Sequence, residues 1–142
     1  MQYVCDGPSN KTWFRIETEA EAVLEARAMN HAVDKHFKMS YEQAAKSYVP
    51  PKTAAAFERS IGLKDHIKRV MPIFLTLRDR EGKAHVTAML PPGGRDDRNF
   101  RPIIVGPGNS DPYPQNVDDI RKLGQHYGLA LDPARCFPYK RG

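Results

Sequence analysis

Cysteine is scarce: Cys5 and Cys136 are the two cysteines in 142 residues. One at each end excludes a disulfide scaffold, and a single bridge would need the termini side by side in an oxidising compartment. The expectation is two reduced thiols in a cytoplasmic protein. Long apolar runs are missing too. The longest uncharged, strongly apolar stretch, Val70 to Leu77, has eight residues, against about twenty for a membrane-spanning helix. The opening Met1-Gln2-Tyr3-Val4-Cys5-Asp6 has no basic region followed by an apolar core, which predicts no secretory signal. The ending Lys140-Arg141-Gly142 carries no lipidation pattern. Internal repeats and low-complexity tracts are absent.

The spacings that announce particular chemistries are also lacking. There is no Cys-x-x-Cys and no His-Glu-x-x-His. His31 and His36 are five apart, about 140° around a helix, so they do not form a ligand pair. No metal and no cofactor is expected. Gly106-Pro107-Gly108 lacks the third glycine of a dinucleotide fingerprint, and no Gly-Lys-Ser/Thr marks a P-loop. No Gly-x-Ser-x-Gly elbow offers a serine nucleophile.

What remains is 40% apolar, 27% charged and +5 net. The excess is uneven. Residues 1–63 carry eight Lys/Arg against eight Asp/Glu, residues 64–101 nine against five, and residues 102–142 five against four. Nearly all the positive charge therefore lies in the centre of the chain. That favours anionic partners, although acidic residues are interleaved throughout, unlike in a dedicated DNA-binding arm.

The periodicities predict a single α+β domain over residues 1–142, a small, mostly antiparallel sheet with helices against one face. Tyr3 to Cys5 and Thr12 to Ile16 form an N-terminal hairpin around Asp6-Gly7-Pro8-Ser9-Asn10. Thr18 and Glu21 make a capping box for a long N-terminal helix to about residue 37, with Ala22, Ala26, Met29, Val33 and Phe37 in one stripe. That stripe covers either the chain's own sheet or a second subunit, so a homodimer stays open. Ser40 to Gln43 offers a second box for a short helix, and Thr53 a third helix that Gly62 would end. From Ile67 the pattern turns β-like. Val70 to Leu77 and Ala84 to Leu90 form the central hairpin, the first strand apolar on both faces. Pro102 to Val105 is one further strand, and Asn116 to Tyr127 a C-terminal helix closed by Gly128.

Two glycine-bearing loops flank that last strand. The first holds Gly93 and Gly94, then Arg95, Arg98 and Arg101; the second holds Gly106, Gly108, Asn109 and Ser110 ahead of a helix. Glycine lets backbone approach a ligand, guanidinium forks match phosphate or carboxylate oxygens, and a helix start favours anions. The loops leave opposite ends of one short strand, so they meet only if one folds back. The plainer interpretation is two solvated loops, with Asp96, Asp97 and Asp111 neutralising the arginines.

These residues point to a non-enzymatic binding or accessory module that engages an anionic ligand or a macromolecule. Gly93 and Gly94 shape the site, and Arg95, Arg98 and Arg101 make the contacts. One alternative is a small enzyme acting on an anionic substrate, with His85 or His126 as acid or base. Another is a nonspecific nucleic-acid binder, in which Lys64, Lys68, Arg69, Arg78, Arg80 and Lys83 join those arginines and Phe74, Phe100 and Tyr113 offer rings. A protein partner is the third kind of occupant; a membrane is not expected.

Overall fold

The computed structural model describes residues 1–139; the Lys140-Arg141-Gly142 tail lies outside the described residues. Five strands, β1 (Gln2–Asp6), β2 (Thr12–Arg15), β3 (Ile73–Arg78), β4 (Ala84–Leu90) and β5 (Ile103–Val105), pair antiparallel in simple sequence order. Three helices, α1 (Glu19–Met29), α2 (Val33–Lys46) and α3 (Ala56–Val70), are inserted between β2 and β3, and α4 (Tyr113–Tyr127) follows β5. Among the described residues, no helix is long and apolar enough to cross a membrane.

Side chains alternate across a strand, and in β3 both sets are apolar or engaged. Ile73, Leu75 and Leu77 join Trp13, Val86, Leu90 and Ile104 beneath Ile120 and Leu123 of α4. Phe74 faces the other way, into a cluster with Ile16, which follows β2, and with Ala22, Phe37 and Ile67 of the inserted helices. Helices therefore cover both faces of the sheet rather than one. The reason is visible in β3: a strand buried on both sides needs a layer on each.

The capping box forms as the spacing predicts, with Thr18 Oγ1 accepting from the Glu21 amide and the Glu21 carboxylate reaching back. The helix it starts is shorter than predicted. Asn30 adopts φ 52°, ψ 57° and closes α1, and α2 restarts at Val33. Asparagine tolerates that left-handed turn better than other residues with a side chain. The stripe is shared between two helices, so α1 lies over β4 while Phe37 of α2 meets Phe74 edge-on at 5.2 Å. Ser40 caps nothing, because α2 runs through it to Lys46. Gly62 does not end α3. A Cβ there would sit 2.2 Å from the Tyr48 hydroxyl, so the glycine admits a close approach by Tyr48. Ile67 to Val70 are helical, and the strand starts after Pro72, which holds Met71 extended. The first half of α3 stands exposed, with Phe57 and Ile61 one turn apart.

One polar group sits at the heart of the inserted layer. Glu25 of α1 has a side chain with 0% exposure. Its Oε1 accepts from Arg78 Nη2 at 3.0 Å, and its Oε2 accepts from Thr87 Oγ1 at 2.5 Å. A buried carboxylate is tolerable only when paired and hydrogen-bonded, so this clasp fixes how α1 seats on β3 and β4. We expect Arg78→Met, which leaves Glu25 buried without its cation, to cost about 3–5 kcal/mol in urea denaturation. The double variant E25L/R78M should recover most of that loss; a double variant as unstable as the single would contradict this role of the pair.

Candidate anion-binding site

The first glycine loop turns as β4 ends. Gly93 and Gly94 have φ of 69° and 67°, and the Gly94 amide bonds back to the Pro91 carbonyl at 2.9 Å. Both lie in the left-handed region that glycine adopts without cost. Gly94 is also packed: a Cβ there would come within 2.4 Å of the Tyr127 ring. Gly93 faces open space. The chain leaves this turn extended at Arg95.

The three arginines behave differently. Arg95 and Arg98 are exposed, and neither makes a hydrogen bond or ion pair with any described residue. The acids beside them are engaged elsewhere. Asp96 pairs with Arg135 at 3.0 Å, and Asp97 Oδ1 accepts from the Asn99 amide at 2.8 Å. Arg101 is anchored. Its Nη2 donates to the Cys136 carbonyl at 2.9 Å, and its guanidinium lies 5.1 Å from the centre of the Phe137 ring. It ties the C-terminal segment to the sheet, which leaves Arg95 and Arg98 as the two without such an anchor among the described residues.

The fold adds cations that are distant in sequence. Tyr127, against which Gly94 packs, lies within the electrostatic reach of Arg15, the last residue of β2. Arg15 donates from Nη2 to the Lys68 carbonyl at 3.3 Å. Burial lowers its pKa from the ordinary arginine value, and the charge of Glu17 counters that shift. The Pro92–Gly94 turn packs on α3 and on β3. α3 carries Lys64, Lys68 and Arg69 toward its end, and none of them forms an ion pair among the described residues. One end of the sheet thus concentrates unpaired positive charge.

The second glycine loop is at the other end. β4 and β5 pair Met89 with Ile103 and Thr87 with Val105, so Arg101 and Gly106 leave in opposite directions. Gly106 and Ser110 close that loop by a 2.8 Å amide-to-carbonyl bond, and it packs on α1. The two loops do not converge. The start of α4 already holds a carboxylate, Asp111 Oδ1, which accepts from the Tyr113 amide at 3.0 Å. That helix end therefore has its own anion.

Other sequence candidates separate likewise. Arg78 serves Glu25, and Arg80 donates to Asn10 at 3.2 Å near the hairpin tip. Phe74 and Tyr113 are core residues, so they offer no stacking platform. His85 lies at that same tip, its Nε2 2.8 Å from Asp79 Oδ2. The His85 contact and the amides of Lys83 and Glu81 hold the Asp79 carboxyl down to about 2. His85 is thus at the far end of β4 from the arginines. His126 is exposed on the last turn of α4, edge-on to Tyr127 at 4.8 Å. Cys5 and Cys136 are buried free thiols whose pKa values burial pushes up, which disfavours the thiolate a nucleophile needs. No group of three or more His, Cys, Asp and Glu among the described residues could hold a metal ion.

Sequence reasoning missed a polar relay beside the second loop. His31, in the elbow between α1 and α2, lies 2.8 Å by Nε2 from Thr87 Oγ1, and its Nδ1 accepts from the Val33 amide at 3.4 Å. Thr87 gives its proton to Glu25, so its oxygen accepts from His31 Nε2–H. The Val33 amide needs Nδ1 unprotonated and so favours the neutral ring, while Thr87 fixes its proton on Nε2. A signal was present: Glu25 falls on the same helical face as Ala22 and Met29, a charge within an apolar stripe.

No family model, no curated protein and no solved structure matches this chain.

Burial lowers the His31 pKa from its ordinary 6.5, with the charges of Glu25 and Asp34 opposing. The unfolded chain then binds the proton at higher pH than the folded one. This contribution to stability is complete above about pH 6.5 and is lost as pH falls toward the folded-state value. Urea denaturation at pH 7.5 and 5.5 should show a larger drop for the wild type than for His31→Gln. Equal drops would contradict the assignment.

Proposed function

We propose that the chain is a binding or accessory module that engages an anionic partner at the basic end of its sheet. The contacts are made by Arg95 and Arg98 on a turn shaped by Gly93 and Gly94. The observation that carries this reading is the state of those two side chains. Both are exposed and free of every described carboxylate, although Asp96 and Asp97 adjoin them in sequence. An arginine without an internal partner keeps its full fork for phosphate or carboxylate oxygens.

The partner is a phosphate-bearing polymer, with single-stranded nucleic acid as the probe of choice. Small ligands are held by concave sites that bury most of their surface. Cations standing on an exposed turn suit an extended anion that bridges several of them. Arg15, Lys64, Lys68 and Arg69 continue the positive surface away from the turn, and the half-exposed ring of Phe137 stands by Arg101. Such contacts are made to the backbone and imply little preference for base sequence.

Fluorescence anisotropy with a labelled 20-nucleotide single strand, run from 20 to 200 mM salt, tests this. Affinity should fall steeply with salt, and the variant R95Q/R98Q should reduce the log–log slope by about 1–2. Thermal denaturation of that variant should match the wild type. Absence of binding at 20 mM salt, or an unchanged slope in the variant, would overturn the proposal.

A further inference from the structure

A cavity on the inserted-helix side of the sheet end has a different character. It occupies about 310 Å³ where α2 and α3 straddle the residues that follow β2. Its floor is the hydrophobic core itself: Phe37, Ile67 and Met71 line it, each under 7% exposed. Tyr41, stacked on Phe37 with ring centres 6.3 Å apart, forms a wall and is 43% exposed. Tyr41 supplies the accessible aromatic surface, and the packed residues beneath it fix the shape of the cavity, so little ordering cost remains.

The rim is cationic. Lys64 and Lys68 are four residues apart on α3 and so share a helix face, an arrangement that repels unless an anion sits between them. Arg15 faces the same cavity, and its guanidinium donates to the Lys68 carbonyl. Among the described residues that line it, Glu17 is the one carboxylate against these three cations; Glu19 and Glu42 line the adjoining cleft on the far side of Tyr41 and Phe37. None of the three cations forms an ion pair among the described residues.

We infer that this cavity binds a small amphipathic organic anion. Its apolar or aromatic body would rest on Phe37, Ile67, Met71 and Tyr41, and its carboxylate or phosphate head would lie between Lys64, Lys68 and Arg15. The volume falls at the lower end of ligand sites, roughly 300–1,000 Å³, which suits a body of about two fused rings. The cavity shares Arg15, Lys64 and Lys68 with the positive surface described above, but its test reads the floor at Ile67 and Met71, which a polymer held at Arg95 and Arg98 does not need.

The probes are 1-naphthyl phosphate, 2-naphthoate and the neutral 2-naphthalenemethanol, titrated into the full chain and followed by NMR at the methyl groups of Ile67 and Met71. The expected result is saturable shifts at those methyls, with at least one of the two anions binding about tenfold tighter than the alcohol. The stronger of the two anions identifies the head group. K64Q/K68Q changes two exposed side chains and should remove that preference while leaving the alcohol unaffected; R95Q/R98Q should bind all three probes as the wild type does. Equal binding of the alcohol and both anions, anion binding undiminished in K64Q/K68Q, or shifts that leave Ile67 and Met71 unmoved would each overturn the inference.

Discussion

The burial of β3 on both sides is the constraint that orders the rest of this molecule. A central strand whose alternate residues are all enclosed obliges the chain to supply two covering layers. The inserted helices form one and α4 with its following segment forms the other. With both faces occupied, a partner finds the sheet only at its two ends and along its rims. The loops that leave those ends therefore carry the chemistry that is exposed.

The two ends have been put to opposite uses. Toward Val105 and the elbow of α1 and α2, polar groups turn inward and satisfy one another: Glu25 with Arg78 and Thr87, and Thr87 with His31. Such a network fixes position and leaves little over for a guest. Toward Leu90 the cations turn outward. Arg95 and Arg98 meet no carboxylate among the described residues, and Arg15, Lys64 and Lys68 surround a cleft with a hydrophobic floor. Arg101 marks the boundary between the two uses, since it belongs to the basic segment but serves the C-terminal strap.

Local signals in the sequence were sufficient where the determining contact is local. The Thr18 and Glu21 box, the central hairpin and the Gly128 stop each depend on residues within a few positions, and each forms as expected. The class of fold followed from the same periodicities. Non-local contacts decided the remainder. Nothing near Gly62 says that Tyr48 will press against it, and nothing near Asn30 says that α1 must break to seat Glu25 over Thr87. The site divides in the same way. The left-handed turn at Gly93 and Gly94 is readable from the dipeptide. The anchoring of Arg101 by a carbonyl 35 residues later is not, nor is the arrival of Arg15 beside α3.

Arg95 and Arg98 at the Leu90 end meet no described carboxylate, whereas Arg78 at the other end is already held by Glu25. Titration of the full chain with inorganic pyrophosphate, followed by backbone amide and arginine side-chain NMR signals, reads that difference residue by residue. Saturable shifts are expected at Gly93 to Arg98 and at the Nε–H groups of Arg95 and Arg98, with Arg78 and the Gly106 to Ser110 loop unmoved. Shifts centred on Gly106 to Ser110, or an Arg95 and Arg98 pair indifferent to the anion, would contradict it.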